Sequence, residues 1–197
     1  TGIYDGVVMG QGEGAFKDLI DATEAGESWD DLKSLALWRD GEVIKNEKHP
    51  VVGWDEIPDT AWHLLDFEPY RRHQLRPESH KDILRMPTPP AMGNRAPYVG
   101  ITFFSSFGCP EPCTFCCSPL VTGRRWKAIP GRQLAEEIAE LQQRFKFDVL
   151  RFQDANFGVA EKRTKEFCET LVDLKVPIHW NGTIEIETIE PSSAFQP

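Results

Sequence analysis

The chain has 197 residues, 40% hydrophobic and 27% charged, a composition that supports a folded core and excludes a disordered tract. Its net charge of -9 lies mostly in the first half, where residues 1–97 hold 11 basic against 18 acidic side chains. Phosphate binding needs clustered Lys and Arg, so nucleic acid is excluded as a general partner.

Five cysteines, three of them within eight positions, do not make a secreted disulfide framework, and a reducing, cytoplasmic compartment is expected. No run nears the roughly eighteen apolar residues of a membrane span, and the opening residues do not read as a signal peptide. The length accommodates one large or two small domains. The start at Thr1 and the loop-like end at Pro197 read as a piece of a longer protein.

Tyr4 to Met9 is a short β-branched run that leads into the glycines Gly10, Gly12 and Gly14. The spacing G-x-G-x-G falls short of a dinucleotide fingerprint, so a tight turn is the simpler reading. A helix follows, with Phe16, Leu19, Ile20 and Thr23 on one face and Gly26 near its end. Ser34–Arg39 and Glu42–Asn46 flank Asp40 and Gly41, a hairpin signal. Trp54 to Tyr70, with Pro58, Trp62 and Asp66, reads as a packed connector, and residues 71–97 as a polar, Pro- and Arg-rich linker. His63, His73 and His80 lack ligand-like spacing and are expected on the surface.

From Tyr98 the pattern becomes regular. An apolar run to Phe104 reads as a buried strand. After the cysteines, Leu134, Ile138, Leu141 and Phe145 mark one face of a helix that begins near Pro130. Asp148–Phe152 reads as a strand and Ala160–Lys175 as a helix with Phe167, Leu171 and Leu174 inward. Cys168 beside that stripe reads as a core thiol, and Pro177–Ile184 supplies a third strand. The order β-loop-α-β-α-β predicts an α/β fold with parallel strands, too few to close a barrel.

Cys109, Cys113 and Cys116 stand at spacing C-x3-C-x2-C just after the first of these strands. Thiolates select zinc, copper(I) or iron–sulfur clusters. Structural zinc is nearly always closed by four protein ligands, so three thiolates at this spacing suit a 4Fe-4S cluster with one open iron. Cys117 adjoins Cys116 and its side chain is expected to point elsewhere. In parallel α/β folds ligands bind where strands end. The cysteine loop, then Gln153, Asp154 and Asn156, then Thr183, Glu185 and Glu187, follow or end three successive strands.

The segment from Gly108 through Cys109, Cys113, Thr114, Phe115 and Cys116 resembles the C-x3-C-x-Φ-C motif of the radical S-adenosylmethionine superfamily. The flanks agree, with Ser105 to Gly108 before it and Gly123 to Trp126 and Arg151 to Phe157 after it. Tyr4 to Glu13 and the later Trp62 to Asp66 are similar to segments of the subgroup that carries a cobalamin-binding domain. The resemblance implies that Cys109, Cys113 and Cys116 ligate a 4Fe-4S cluster whose fourth iron binds the amino and carboxylate groups of S-adenosylmethionine. Reductive cleavage would yield methionine and a 5′-deoxyadenosyl radical.

By the same resemblance Phe115 lies near the adenine. Asp154 stands where many members carry a Gly-Gly-Glu contact to the methionine amino group. The implied activity is cobalamin-dependent methyl transfer in the full-length protein, with a radical oxidoreductase or cyclase of the same subgroup as alternative. It implies a small-molecule substrate and an external electron donor such as flavodoxin or ferredoxin. The implied fold is the C-terminal tail of a doubly wound cobalamin-binding-type domain over residues 1–70, the linker, and a truncated partial (βα) barrel over residues 98–197. The usual Asp-x-His-x-x-Gly cobalt-ligand motif is absent, so this chain alone is not expected to hold cobalamin. A reading of another class is a structural zinc module that adds a distant ligand such as His179.

Overall fold

The computed structural model describes residues 4–49, 53, 56–57, 59–75 and 98–185. The chain divides into two compact units, Thr1–Asp59 with Glu111–Arg125, and Thr60–Pro110 with Trp126–Pro197. Trp54, Pro58, His80, Glu187 and residues 76–97 of the expected linker lie outside the described residues.

In the first unit, β1 (Gly6–Val8), β2 (Leu35–Arg39) and β3 (Glu42–Lys45) form an antiparallel sheet in the order β1-β2-β3. The hairpin turns at Asp40 and Gly41, with φ of 48° and 88°, the positive pair that a two-residue primed turn requires. Period-two alternation buries Leu35 and Leu37 and leaves Trp38 exposed. Helix α1 (Glu13–Ala25) ends at Gly26 in the left-handed conformation, whose N–H closes on the carbonyls of Ala22 and Thr23. Its buried residues are Ala15 and Ala22, two turns apart on one stripe. The expected inward face is thus corrected: Leu19 is half-buried, while Phe16, Ile20 and Thr23 turn outward. The glycine run serves a turn, since Gly10 has φ of 82° and α1 starts directly after Gly12.

The second unit is built on a parallel sheet. Strands β4 (Gly100–Phe103), β7 (Val149–Phe152) and β8 (His179–Asn181) lie in the order β4-β7-β8, with Phe103 opposite Phe152 and Leu150 opposite Trp180. Between β4 and β7 run a two-residue antiparallel pair, β5 (Ser106–Phe107) with β6 (Lys127–Ala128), and helix α4 (Gly131–Phe145). Helix α5 (Glu161–Asp173) links β7 to β8. The stripe Leu134, Ile138, Leu141 and Phe145 is buried as the periodicity predicts. On α5, Phe167 and Leu171 are buried, whereas Leu174 follows the last turn and is exposed, which corrects its inward assignment.

Phe152, Phe157, Phe167 and Trp180 form one aromatic cluster, with Phe152 and Phe157 stacked at 4.4 Å between centroids. The helices α4 and α5 approach so closely that a Cβ on Gly131 would lie 2.2 Å from the carbonyl of Arg163. The connector also packs here: a 3-10 turn, Trp62–Leu64, stacks Trp62 on Phe103 at 6.1 Å. Helix α2 (Glu68–Gln74) places the Gln74 carboxamide against the outer edge of β4, accepting from Gly100 N at 2.7 Å and donating to Gly100 O at 3.0 Å. No helix among the described residues is long and apolar enough to cross a membrane.

Candidate functional site

The ends of the three parallel strands are tied together by polar groups. The backbone ladder continues beyond β4 and β7, with Gln153 N donating to Phe103 O at 2.9 Å. There the Asp154 side chain, 2% exposed, turns toward β4. Its Oδ1 accepts from Ser105 N at 2.7 Å and Ser106 N at 3.0 Å, and its Oδ2 accepts from the Ser105 hydroxyl at 2.5 Å. Asn156, 1% exposed, accepts through Oδ1 from Gly158 N at 3.0 Å and Glu185 N at 3.4 Å. Phe157 N donates to Thr183 O at 2.8 Å. Among the described residues, the Asn156 amide nitrogen and the Ser106 hydroxyl are buried without a hydrogen-bond partner. Buried unpaired polar atoms are rare and mark sites open to a further partner.

Sequence reasoning did not find the side chain that completes this layer. Arg163, three positions into α5, is 7% exposed. Its Nε donates to Ile129 O at 2.7 Å, its Nη1 to Phe157 O at 3.4 Å, and its Nη2 to the Ser105 carbonyl and hydroxyl at 3.2 and 2.5 Å. It also lies over the Phe157 ring at 4.9 Å. Burial lowers its pKa, and the Asp154 carboxylate acts in the opposite direction. One arginine so links the segment before α4, the ends of β4 and β7, and α5. In sequence it is one cation in a polar helix that also carries Lys162 and Lys165, with no local signal to separate it from them.

The cysteine segment begins at this layer. Ser106 and Phe107 form β5, and Gly108, with φ of 77°, turns the chain through a conformation that side chains resist. Cys109 follows directly and is buried in the second unit. Pro110 and Pro112 restrict the backbone on the way to Cys113. In the first unit Cys113 is half-buried, Cys116 and Cys117 are exposed, and Phe115 is 92% exposed. A turn closes Cys113 to Cys116, with Cys116 N donating to Cys113 O at 3.2 Å. Cys117 caps the short helix α3 (Ser118–Thr122), and Ser118 N donates to Cys116 Sγ at 3.4 Å.

All five cysteines are free. Among the described residues no three His, Cys, Asp or Glu side chains form a cage for a single ion. Free thiols are the donor chemistry that an iron–sulfur cluster takes. His63 and His73 are exposed, as expected, and His179 lies in β8.

In fold the chain is similar to solved cobalamin-dependent radical S-adenosylmethionine enzymes, and in sequence to a methyltransferase and a cyclase. It superposes on OxsB, a cobalamin-dependent S-adenosylmethionine radical enzyme with aqua-cobalamin and S-adenosylmethionine bound, with a TM-score of 0.62 and 21% identity over 94% of this chain and 24% of that one. The radical S-adenosylmethionine methyltransferase TsrM from Kitasatospora setae, with cobalamin and a [4Fe-4S] cluster bound, gives a TM-score of 0.54 and 16% identity over 86% of this chain and 30% of that one.

In sequence it is 26% identical over 191 residues to the uncharacterized methyltransferase PH0819 of Pyrococcus horikoshii, covering 96% of this chain and 37% of that protein. It is 24% identical over 185 residues to the anaerobic magnesium-protoporphyrin IX monomethyl ester cyclase of Synechocystis sp., covering 94% of this chain and 32% of that protein. The chain therefore spans about a third of the length of these two relatives. No protein-family model matches it.

Proposed function

We propose that this chain is the cluster-bearing part of a radical S-adenosylmethionine enzyme, with Cys109, Cys113 and Cys116 as the three protein ligands of a 4Fe-4S cluster. The observation that carries the reading is the position of the free C-x3-C-x2-C thiols directly after the first strand of a parallel α/β sheet. When bound, such a cluster supplies the electron for reductive cleavage of S-adenosylmethionine. Cys109, buried behind Gly108, is the fixed member of the set, and Cys113 and Cys116 are carried on one turn. Phe115 is the residue assigned to the adenine. Asp154 is assigned to the methionine side, directly or through the Ser105 and Ser106 backbone that it holds.

In the longer protein, the parallel strands open a partial (βα) barrel, residues 1–70 form the tail of a cobalamin-binding domain, and the reaction is methyl transfer. A small-molecule substrate and an external electron donor such as flavodoxin or ferredoxin complete the system. Radical cyclisation is the second reading, favoured by the 24% identity to the cyclase.

Anaerobic reconstitution with iron and sulfide tests the proposal. A brown protein whose electron paramagnetic signal changes on addition of S-adenosylmethionine supports it, and Cys113→Ala is then expected to abolish reductive cleavage under dithionite. A colourless protein with stoichiometric zinc sinks it in favour of a structural zinc module.

A further inference from the structure

The parallel sheet has two unlike faces. Phe103, Phe152 and Trp180 point to the face covered by helices, where they join the aromatic contacts. The opposite face presents Thr102, Arg151 and Asn181, which the register sets side by side across β4, β7 and β8. Neighbouring strands lie about 4.8 Å apart, so the row is roughly 10 Å wide with its cation at the centre. Thr102 and Arg151 are exposed and Asn181 is half-buried.

Two arginines of the same unit could hardly differ more in their surroundings. Arg163 spends its guanidinium on three carbonyls and a hydroxyl. Among the described residues the side chains of Arg151, Thr102 and Asn181 have no hydrogen-bond, ion-pair or ring partner. An exposed arginine is ordinarily a solvated surface residue, but this one occupies the middle of the central strand of a parallel sheet. Both faces of such sheets are normally covered, and their strands are then apolar. A permanent cation flanked by two neutral hydrogen-bonding side chains suits an occupant with a compact anionic group. The planar fork of arginine matches a carboxylate or phosphate with two parallel bonds.

We propose that Thr102, Arg151 and Asn181 form a subsite for a small-molecule substrate that carries a carboxylate or phosphate group, with Arg151 as the residue that selects for the anion. The assignment to substrate rests on the proposed radical S-adenosylmethionine reading. Arg151 lies three residues, or about 10 Å, down the strand from Asp154, whereas the cysteine segment leaves from the strand ends. S-adenosylmethionine bound through its carboxylate to an iron held by that segment would keep that group near the strand ends, which would leave the lower level to the substrate.

The test is a titration of the isotope-labelled 197-residue chain with inorganic phosphate, followed by nuclear magnetic resonance. The Arg151 Nε–H signal is identified by its loss in Arg151→Lys. Saturable shifts of that signal and of the Thr102 and Asn181 amides are expected, with Arg132, exposed on α4, unaffected. Arg151→Gln, an exposed change that leaves the core intact, is expected to weaken the phosphate about tenfold or more. Absence of saturation, equal shifts at Arg132, or unchanged affinity in Arg151→Gln overturns the subsite.

The titration needs no cluster, so its result is independent of whether iron or zinc is found. Repeating it on reconstituted protein saturated with S-adenosylmethionine separates the two sources of anion. Persistent phosphate binding supports the substrate, and its loss assigns Arg151 to the S-adenosylmethionine carboxylate and overturns the substrate assignment.

Discussion

Arg163 holds Ser105 across 58 positions of sequence, its Nη2 donating to the Ser105 hydroxyl at 2.5 Å while that hydroxyl donates onward to Asp154 Oδ2. A helix is thereby fastened to the end of β4 four residues before Cys109. Arg163→Met is expected to destabilise the chain by about 3 kcal/mol or more, because it leaves several buried carbonyls unsatisfied and takes the nearby cation from the buried Asp154 carboxylate. Arg163→Lys recovers only part of this, since an ammonium does not reproduce the fork. Urea midpoints of the three proteins measure both effects, and equal midpoints for wild type and Arg163→Met would rule the network out as a stabilising device.

Asp154→Asn keeps the shape of the side chain but replaces one acceptor by a donor. Oδ1 retains the two backbone N–H groups, while the new NH2 faces a Ser105 hydroxyl already occupied as acceptor by Arg163. A loss of about 1–3 kcal/mol is expected, smaller than that of Arg163→Met. The order of the two urea midpoints checks the prediction.

Gly131→Ala brings a methyl group against the backbone of α5, where the Arg163 carbonyl lies 2.2 Å from the added atom. Backbone cannot yield as a flexible side chain does, so a loss of about 2 kcal/mol or more is expected although alanine is the better helix former. A thermal melt that matches wild type would contradict the close approach.

Cys168 differs from the cysteines of the motif in its surroundings. It is half-buried on α5, and burial, helped by the neighbouring Glu169, pushes its pKa up. A raised folded-state pKa means that the thiol's contribution to stability is full below the ordinary thiol range and is lost as pH rises through the raised value. Cys168→Ala is expected to flatten the decline in urea midpoint as pH rises above the ordinary thiol range. Iodoacetamide followed by peptide mass mapping is expected to modify the exposed Cys116 and Cys117 well before Cys168.

Phe167 is fully buried among Phe152, Phe157 and Trp180. Phe167→Ala removes the inward anchor of α5 and is expected to cost about 3–5 kcal/mol by urea unfolding. A cost below about 1 kcal/mol would mean that the cluster closes over the gap.

The periodic elements of the second unit were legible because burial there repeats with the element. Leu134, Ile138, Leu141 and Phe145 fall on one stripe of a long helix, and Asp40 with Gly41 admits little but a tight hairpin. Helix α1 was misread because Phe16 and Ile20 are more apolar than the alanines that are buried instead, and a single sequence ranks residues by apolarity.

The cysteine motif is local, so its spacing and the glycine before it could be read from the chain alone, together with the resemblance to radical S-adenosylmethionine enzymes. Its support is not local. Ser105, Asp154 and Arg163 are drawn from three separated segments, and nothing in the sequence near any one of them names the other two. The row Thr102, Arg151 and Asn181 likewise exists only through strand register. Sequence by itself determined which thiols this protein offers and that they follow a strand. The tertiary structure decided which buried charges hold that strand end and which arginine stands without a partner among the described residues, because hydrogen-bond partners are set by position in space and not by distance along the chain.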